Sequence, residues 1–180
     1  MTKAKSNVMA DFGLPIIVLV LICAIMSGLL AFTNGITAPI IEEAERKAAE
    51  EARLEVLPSA DSFLRVEIAD LPGSVTEVYQ AENGAGYTFS IVAQGYGGKN
   101  TLKMAVGIDM DGKITGTKVL DHKETAGLGS KITTDAFQGQ FPGKDASLEG
   151  VDNISGATFS SNYFRAAIAD AFAAFDMVTG

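Results

Sequence analysis

The sequence predicts an α+β protein: one transmembrane helix near the N-terminus, a stalk helix, and a single domain with an antiparallel sheet and flanking helices. Three observations predict it. No charged residue occurs between Phe12 and Ile41. A run of helix formers follows. From about Ser62 the pattern turns to short β-rich runs punctuated by Gly, Asp and Asn, then closes on an apolar stripe at helical spacing. At 180 residues the chain has room for one domain with a proper core plus an appendage.

Leu14 to Ala31, LPIIVLVLICAIMSGLLA, is nearly unbroken apolar sequence. At about 1.5 Å per residue it covers roughly 27 Å, close to a hydrocarbon core. A cleaved signal peptide is the competing reading, but the run exceeds the roughly 7 to 15 residues of a signal h-region, and no A-x-A-like site follows. Lys3 and Lys5 precede the span with only Asp11 against them, whereas the segment after it opens IEEAE. The N-terminus is therefore expected in the cytoplasm and the rest outside it, at a cell inner membrane. Expected boundaries are 1–13 for the cytoplasmic N-terminus, 14–33 for the transmembrane helix, 34–60 for stalk helix and linker, and 61–180 for the extracytoplasmic domain. A polar break, TNGITAP, separates span from stalk. The stalk, IIEEAERKAAEEARLEVL, ends at Pro58; Glu42 precedes Arg46 by four and Glu43 precedes Lys47 by four, the favourable order for helix ion pairs.

In the domain, SVTEVYQA (74–81) and GYTFSIVAQ (86–94) flank a polar ENGA turn. TLKMAVGIDM and KITGTKVLD flank Asp111-Gly112, a strong hairpin signal. A short helix is expected from about Thr133. Phe164, Ile168, Ala171, Phe172 and Phe175 recur at helical spacing with Arg165, Asp170 and Asp176 off the stripe, so the chain should close on an amphipathic helix packed on a sheet.

Composition narrows the chemistry. The formal net charge of −8, more acidic still beyond Lys3 and Lys5, argues against nucleic acid as a partner. The one cysteine, Cys23, lies in the span, which excludes an internal disulfide and a Cys-based zinc site; a metal there would need ligands from a neighbour. GYGGKNT (95–101) is not a phosphate loop, because Asn100 stands where Ser or Thr is required and a strand follows. Its glycines mark a tight turn or a close backbone approach. In DHKETAGLG (121–129), His122-x-Glu124 lacks the cysteine half of a zinc deaminase, and no H-E-x-x-H or G-x-S-x-G occurs. Neither a metal site nor a catalytic triad is assigned. Asn153-Ile154-Ser155 is formally a glycosylation sequon, which is weak evidence alone.

DNISGATFSS (152–161) places small and hydroxyl residues just before a helix expected to start near Ser160 or Ser161. Thr158, Ser160 or Ser161 could simply cap that helix. The same free N–H groups and dipole would also suit an anion, a phosphate in particular, with Gly156 and Ala157 small enough to admit it. The residues alone leave both open.

Asp152-Asn153-Ile154-Ser155-Gly156-Ala157-Thr158 resembles the flavinylation motif of the FMN-binding domain family. Gly95-Tyr96-Gly97-Gly98, Asp111-Gly112-Lys113-Ile114 and His122-x-Glu124-Thr125-x-Gly127-Leu128-Gly129 agree with it in order. With the span, the stalk and Val56-Leu57-Pro58, the whole chain is similar to the family of G subunits of Rnf-type electron-transport complexes. Two departures stand out: Ala126 replaces a usual proline, and Phe159-Ser160-Ser161 replaces a commoner form with threonine. The related C subunits of sodium-pumping NADH:quinone reductases are typically longer.

The resemblance implies that Thr158 carries FMN through its phosphate, installed by a flavin transferase using FAD and a divalent metal. It implies that Ser155, Gly156 and Ala157 shape the attachment turn. Glu124, Thr125, Gly127, Leu128 and Gly129 would contact the flavin or its ribityl chain, and Gly97 and Gly98 would border it. The function implied is electron relay in ferredoxin:NAD electron transfer coupled to ion transport, by a translocase component that completes no reaction alone. Implied partners are integral membrane subunits, a second flavin subunit and membrane lipid. Two other readings are a non-redox assembly subunit, in which S-G-A-T is only a cap, and a covalent-FMN component of a different extracytoplasmic chain.

Overall fold

The computed structural model describes residues 13–180. Lys3, Lys5 and Asp11, on which the expected orientation rests, lie outside the described residues. Two compact units divide the chain, residues 1–46 and 47–180.

Helix α1 spans Leu14–Val56 and is unbroken through TNGITAP, where the sequence suggests an interruption. Thr37 Oγ1 donates to the Thr33 carbonyl at 3.0 Å, satisfying a polar side chain along the helix itself. Pro39 lies inside the helix and costs it one N–H donor without ending it. The apolar side chains from Leu14 to Leu30 stand exposed, and the helix is long and apolar enough to cross a membrane. Helical termini therefore do not mark where span gives way to stalk.

In the second unit, five strands run β1 (Phe63–Val66), β2 (Val75–Ala81), β3 (Gly86–Gly95), β4 (Gly98–Asp109) and β5 (Ile114–His122). They form an antiparallel meander in sequence order. A 3₁₀ turn (Gly129–Thr133) and helix α2 (Asp135–Gln138) follow, near the short helix expected from Thr133, and α3 spans Thr158–Thr179.

One face of the sheet carries the core, because alternate residues of a strand point the same way. Phe89, Ile91, Met104 and Val106 meet Phe164, Ile168 and Phe172 of α3 there. The Phe137, Phe141 and Phe164 rings pack with centroids 5.0 to 5.3 Å apart. All five residues of the expected α3 stripe are buried.

The other face receives the last turn of α1. Ala52 and Val56 cluster with Ala105 of β4. Gly107 and Gly116 are paired across β4 and β5, and a Cβ built on Gly107 would lie 2.3 Å from the Val56 carbonyl oxygen. Thr115 Oγ1 donates to that same carbonyl. Helix backbone thus rests directly on sheet backbone, which only glycine permits. Arg53 lies buried with its guanidinium 3.7 Å from the Tyr79 ring centroid, a contact strengthened by desolvation.

Candidate functional site

Three segments meet at the start of α3. The first is the β3–β4 turn at Tyr96-Gly97. The second is the 124–130 loop after β5, where the Thr125 carbonyl accepts the Leu128 and Ser130 N–H groups and Ser130 Oγ accepts the Gly127 N–H. The third is the turn Ile154-Ser155-Gly156-Ala157, closed by an Ala157 N–H donated to the Ile154 carbonyl at 3.0 Å. Gly156 occupies its third position at φ +79°, a conformation that glycine adopts without a Cβ penalty.

Helix α3 begins at Thr158 with Ala157 as its N-cap and no side-chain cap. This corrects the expected start at Ser160 or Ser161 and their expected role as caps. Both serines lie inside the first turn and are buried. Ser160 Oγ donates to Glu124 Oε2 at 2.5 Å. Ser161 Oγ donates to the Ala157 carbonyl and accepts the Ile154 N–H. The distant Glu124 draws Ser160 inward, while Ser161 is held by the turn that leads into the helix. Among the described residues, the first hydrogen bond into the helix is from the Ser161 N–H to the Ala157 carbonyl. The Thr158, Phe159 and Ser160 N–H groups stay free for an anion.

A cavity of about 300 Å³ opens here, lined by Thr125, Leu128, Gly129, Gly156, Ala157 and Thr158 together with Tyr96, Phe159 and Ser160. Six residues assigned from the sequence therefore share one wall system. Thr158 is exposed at its rim, and the exposed side chains of Tyr96, Leu128 and Phe159 give it apolar surfaces.

The remaining assigned residues stand around it. Ser155 is exposed in the turn. Gly97 abuts the 123 backbone, its Cβ position 2.6 Å from the Lys123 carbonyl oxygen, while Gly98 (φ +118°) and Gly127 (φ +75°) face open space. Glu124 lies behind the wall, with both carboxylate oxygens engaged by the protein. Tyr96, Phe159 and Ser160 were missed as site residues. Only their adjacency to the glycine turn and to Thr158 signalled them. A wider depression of about 450 Å³ runs along β5 between Glu55 and Gln138. It contains none of the assigned residues and is lined mostly by polar residues and glycine, Thr115, Thr117 and Thr133 among them.

Residues 95–173, which include every residue lining the cavity at the start of α3, match the family described as the FMN-binding domain. The chain is 36% identical over 159 residues to the G subunit of the ion-translocating oxidoreductase complex of Methanosarcina acetivorans, covering 81% of this chain and 85% of that protein. The chain belongs to the family of G subunits of ion-translocating oxidoreductase complexes. The G subunit of the Na(+)-translocating ferredoxin:NAD(+) oxidoreductase complex of Acetobacterium woodii is 34% identical, with 74% of this chain and 70% of that protein aligned. The proton-translocating counterpart from Clostridium ljungdahlii is 25% identical with 90% of each chain aligned. Their alignments extend beyond the FMN-binding residues, so the likeness to these G subunits includes more than the cofactor domain.

The cavity fits the cofactor that the family implies. Free N–H groups at the start of α3 suit a phosphate, the Gly156 turn leaves the approach unobstructed, and Tyr96, Leu128 and Phe159 offer apolar surface to a flat ring.

Proposed function

We propose that this chain is a membrane-anchored flavoprotein subunit of an Rnf-type complex, relaying electrons through FMN esterified by its phosphate to Thr158. The observation that carries the reading is the placement of Thr158. The residue is exposed, lines the cavity, and stands at the first helical position, where its own N–H and those of Phe159 and Ser160 are free.

Each neighbour has a role in this reading. The α3 N-terminus stabilises the single negative charge of a phosphodiester. Ser155, Gly156 and Ala157 form the turn that presents Thr158. Thr125, Leu128 and Gly129 wall the opposite side, with Gly127, Gly97 and Gly98 at its margin. Bound FMN supplies reversible electron acceptance; the protein orients it and limits its exposure to water. Attachment by a flavin transferase would join the Thr158 oxygen to the FMN phosphorus of FAD, with the pyrophosphate bond broken, AMP as the leaving group and the hydroxyl proton taken by a base. A divalent metal would belong to that transferase.

The exposed apolar part of α1 supports a single membrane span, with lipid and integral membrane subunits around the helix; Lys3 and Lys5 before it and the acidic IEEAE segment after it support a domain outside the cytoplasm. The reactions for which the relatives are named support ferredoxin:NAD electron transfer coupled to ion transport as the parent reaction, carried out with other subunits of the complex. In this reading a second flavin subunit would be one of the redox partners.

The test is to express the chain with a flavin transferase, denature it, and look for flavin fluorescence in the gel. Wild type should fluoresce and Thr158→Val should not. A wild type without bound flavin would overturn covalent attachment and favour a non-redox role. Fluorescence that survives in Thr158→Val would move the attachment site.

A further inference from the structure

Glu124 is assigned above only by resemblance, as a flavin contact, and its surroundings suit a different task. It is buried, with 9% of its surface exposed. Oε1 accepts the Tyr96 N–H at 2.8 Å and Oε2 accepts the Ser160 hydroxyl at 2.5 Å. Its own N–H donates to His122 Nδ1 at 3.2 Å. The carboxylate fills space that two glycines leave for it: a Cβ on Gly95 would lie 2.4 Å from Oε1, and one on Gly129 would lie 2.7 Å from Oε2. One side chain thereby ties the β3–β4 turn, the loop after β5 and the first turn of α3. Charge-assisted bonds of this kind are the strong ones.

Four hydroxyls stand within seven residues: Ser155, Thr158, Ser160 and Ser161. Ser161 donates to a backbone carbonyl and Ser160 donates its single hydroxyl proton to Glu124, so both are buried and engaged. Ser155 and Thr158 remain exposed, and of these Thr158 lines the cavity.

We propose that Glu124 is a positioning residue for cofactor attachment. It pins the first turn of α3 through Ser160, so that the Thr158 hydroxyl faces the cavity, and it withholds the Ser160 hydroxyl from reaction. The inference rests on the proposed attachment at Thr158. A displacement of about 1 Å in a reacting group can cost on the order of a hundredfold in rate, so loosening this tie should slow attachment.

The experiment follows FMN incorporation into the full chain by purified transferase and FAD, with peptide mass mapping of the modified residue. Glu124→Ala and Ser160→Ala should each lower the turnover number at least about tenfold while leaving the KM for FAD unchanged. Glu124→Gln, which keeps an acceptor and the shape, should stay within about threefold of wild type. The double variant Glu124→Ala/Ser160→Ala should be no slower than the slower single variant, because the two residues act through one bond. Ser160→Ala removes only a hydroxyl and decides the question if Glu124→Ala does not fold. Wild-type turnover in Ser160→Ala, or additive losses in the double variant, would overturn the proposal. Absence of covalent flavin on the wild type would instead overturn attachment itself.

Discussion

Replacing Gly107 by alanine tests whether the end of α1 is seated on the sheet. The new methyl would sit 2.3 Å from the Val56 carbonyl oxygen, 2.5 Å from Thr115 Oγ1 and 2.8 Å from the Val56 carbonyl carbon. Two of these atoms are backbone, so rotation of a side chain cannot relieve the overlap. The helix end must lift away from β4. Overpacking of this kind costs about 1 to 3 kcal/mol. Separating Val56 from Thr115 also loses a hydrogen bond worth about 1 kcal/mol. The sum, roughly 2 to 4 kcal/mol, is a large part of the roughly 5 to 15 kcal/mol that holds a domain folded. It should lower the melting temperature by roughly 6 to 20 °C for a domain of this size. Gly116→Ala offers an internal scale: its methyl would meet Val56 at 2.9 to 3.0 Å, a milder overlap and a smaller loss. Thermal unfolding followed by circular dichroism on the purified full chain reads both. An unchanged melting temperature for Gly107→Ala, or a greater loss for Gly116→Ala, would refute the close seating of helix on sheet.

Other outcomes follow from features already described. Gly156→Ala leaves ordinary contact with Leu128, at 3.7 Å, but must hold φ near +79°; it should cost about 1 to 2 kcal/mol, and reduce FMN incorporation more than it reduces the melting temperature. Phe164→Ala removes a fully buried ring from the aromatic cluster and should destabilise by about 3 to 5 kcal/mol in chemical denaturation. Hydrogen bonds from Ser147 and then Lys113 hold the Asp145 carboxyl below the usual carboxylate range. A carboxyl depressed in the folded state stabilises above the ordinary carboxylate pKa and loses that contribution as pH falls through its folded value. Asp145→Asn should therefore melt slightly below wild type at neutral pH, with the difference vanishing in strong acid. This carboxyl is exposed, so the effect is small.

Much of the architecture was legible because local signals agreed with the final packing. Asp111-Gly112 marked the β4–β5 turn, and Gly112 adopts φ +71° there. The stripe from Phe164 to Phe175 identified the buried face of α3 because one helical period serves one flat sheet. Less was legible where distant partners decide. Ser160 and Ser161 have the composition of caps, yet Glu124, 36 residues before Ser160, draws one of them into the helix and under the cavity wall. The resemblance makes Glu124 a flavin contact, and nothing local in the sequence reveals that both its oxygens are engaged by this protein. The glycines of GYGG point to a close approach, and at Gly95 and Gly97 what approaches is this protein's own segment 123–124. TNGITAP carries a breaker composition, and α1 nevertheless passes through it, since helix propensity is a weak prior against context.

The strand order of the meander also sets a timetable. Every sheet neighbour is a sequence neighbour, so hairpins can zip up locally as the chain emerges, with little loop entropy to overcome. Helix α3 must then come back from the far end, spanning 96 residues to place Asp170 against Ser74 and 36 to place Ser160 against Glu124. The surface that presents Thr158 therefore depends on contacts made across long stretches of chain. A modifying enzyme that reads that surface would be inspecting a finished fold, and a flavin on Thr158 would serve as a receipt for correct folding.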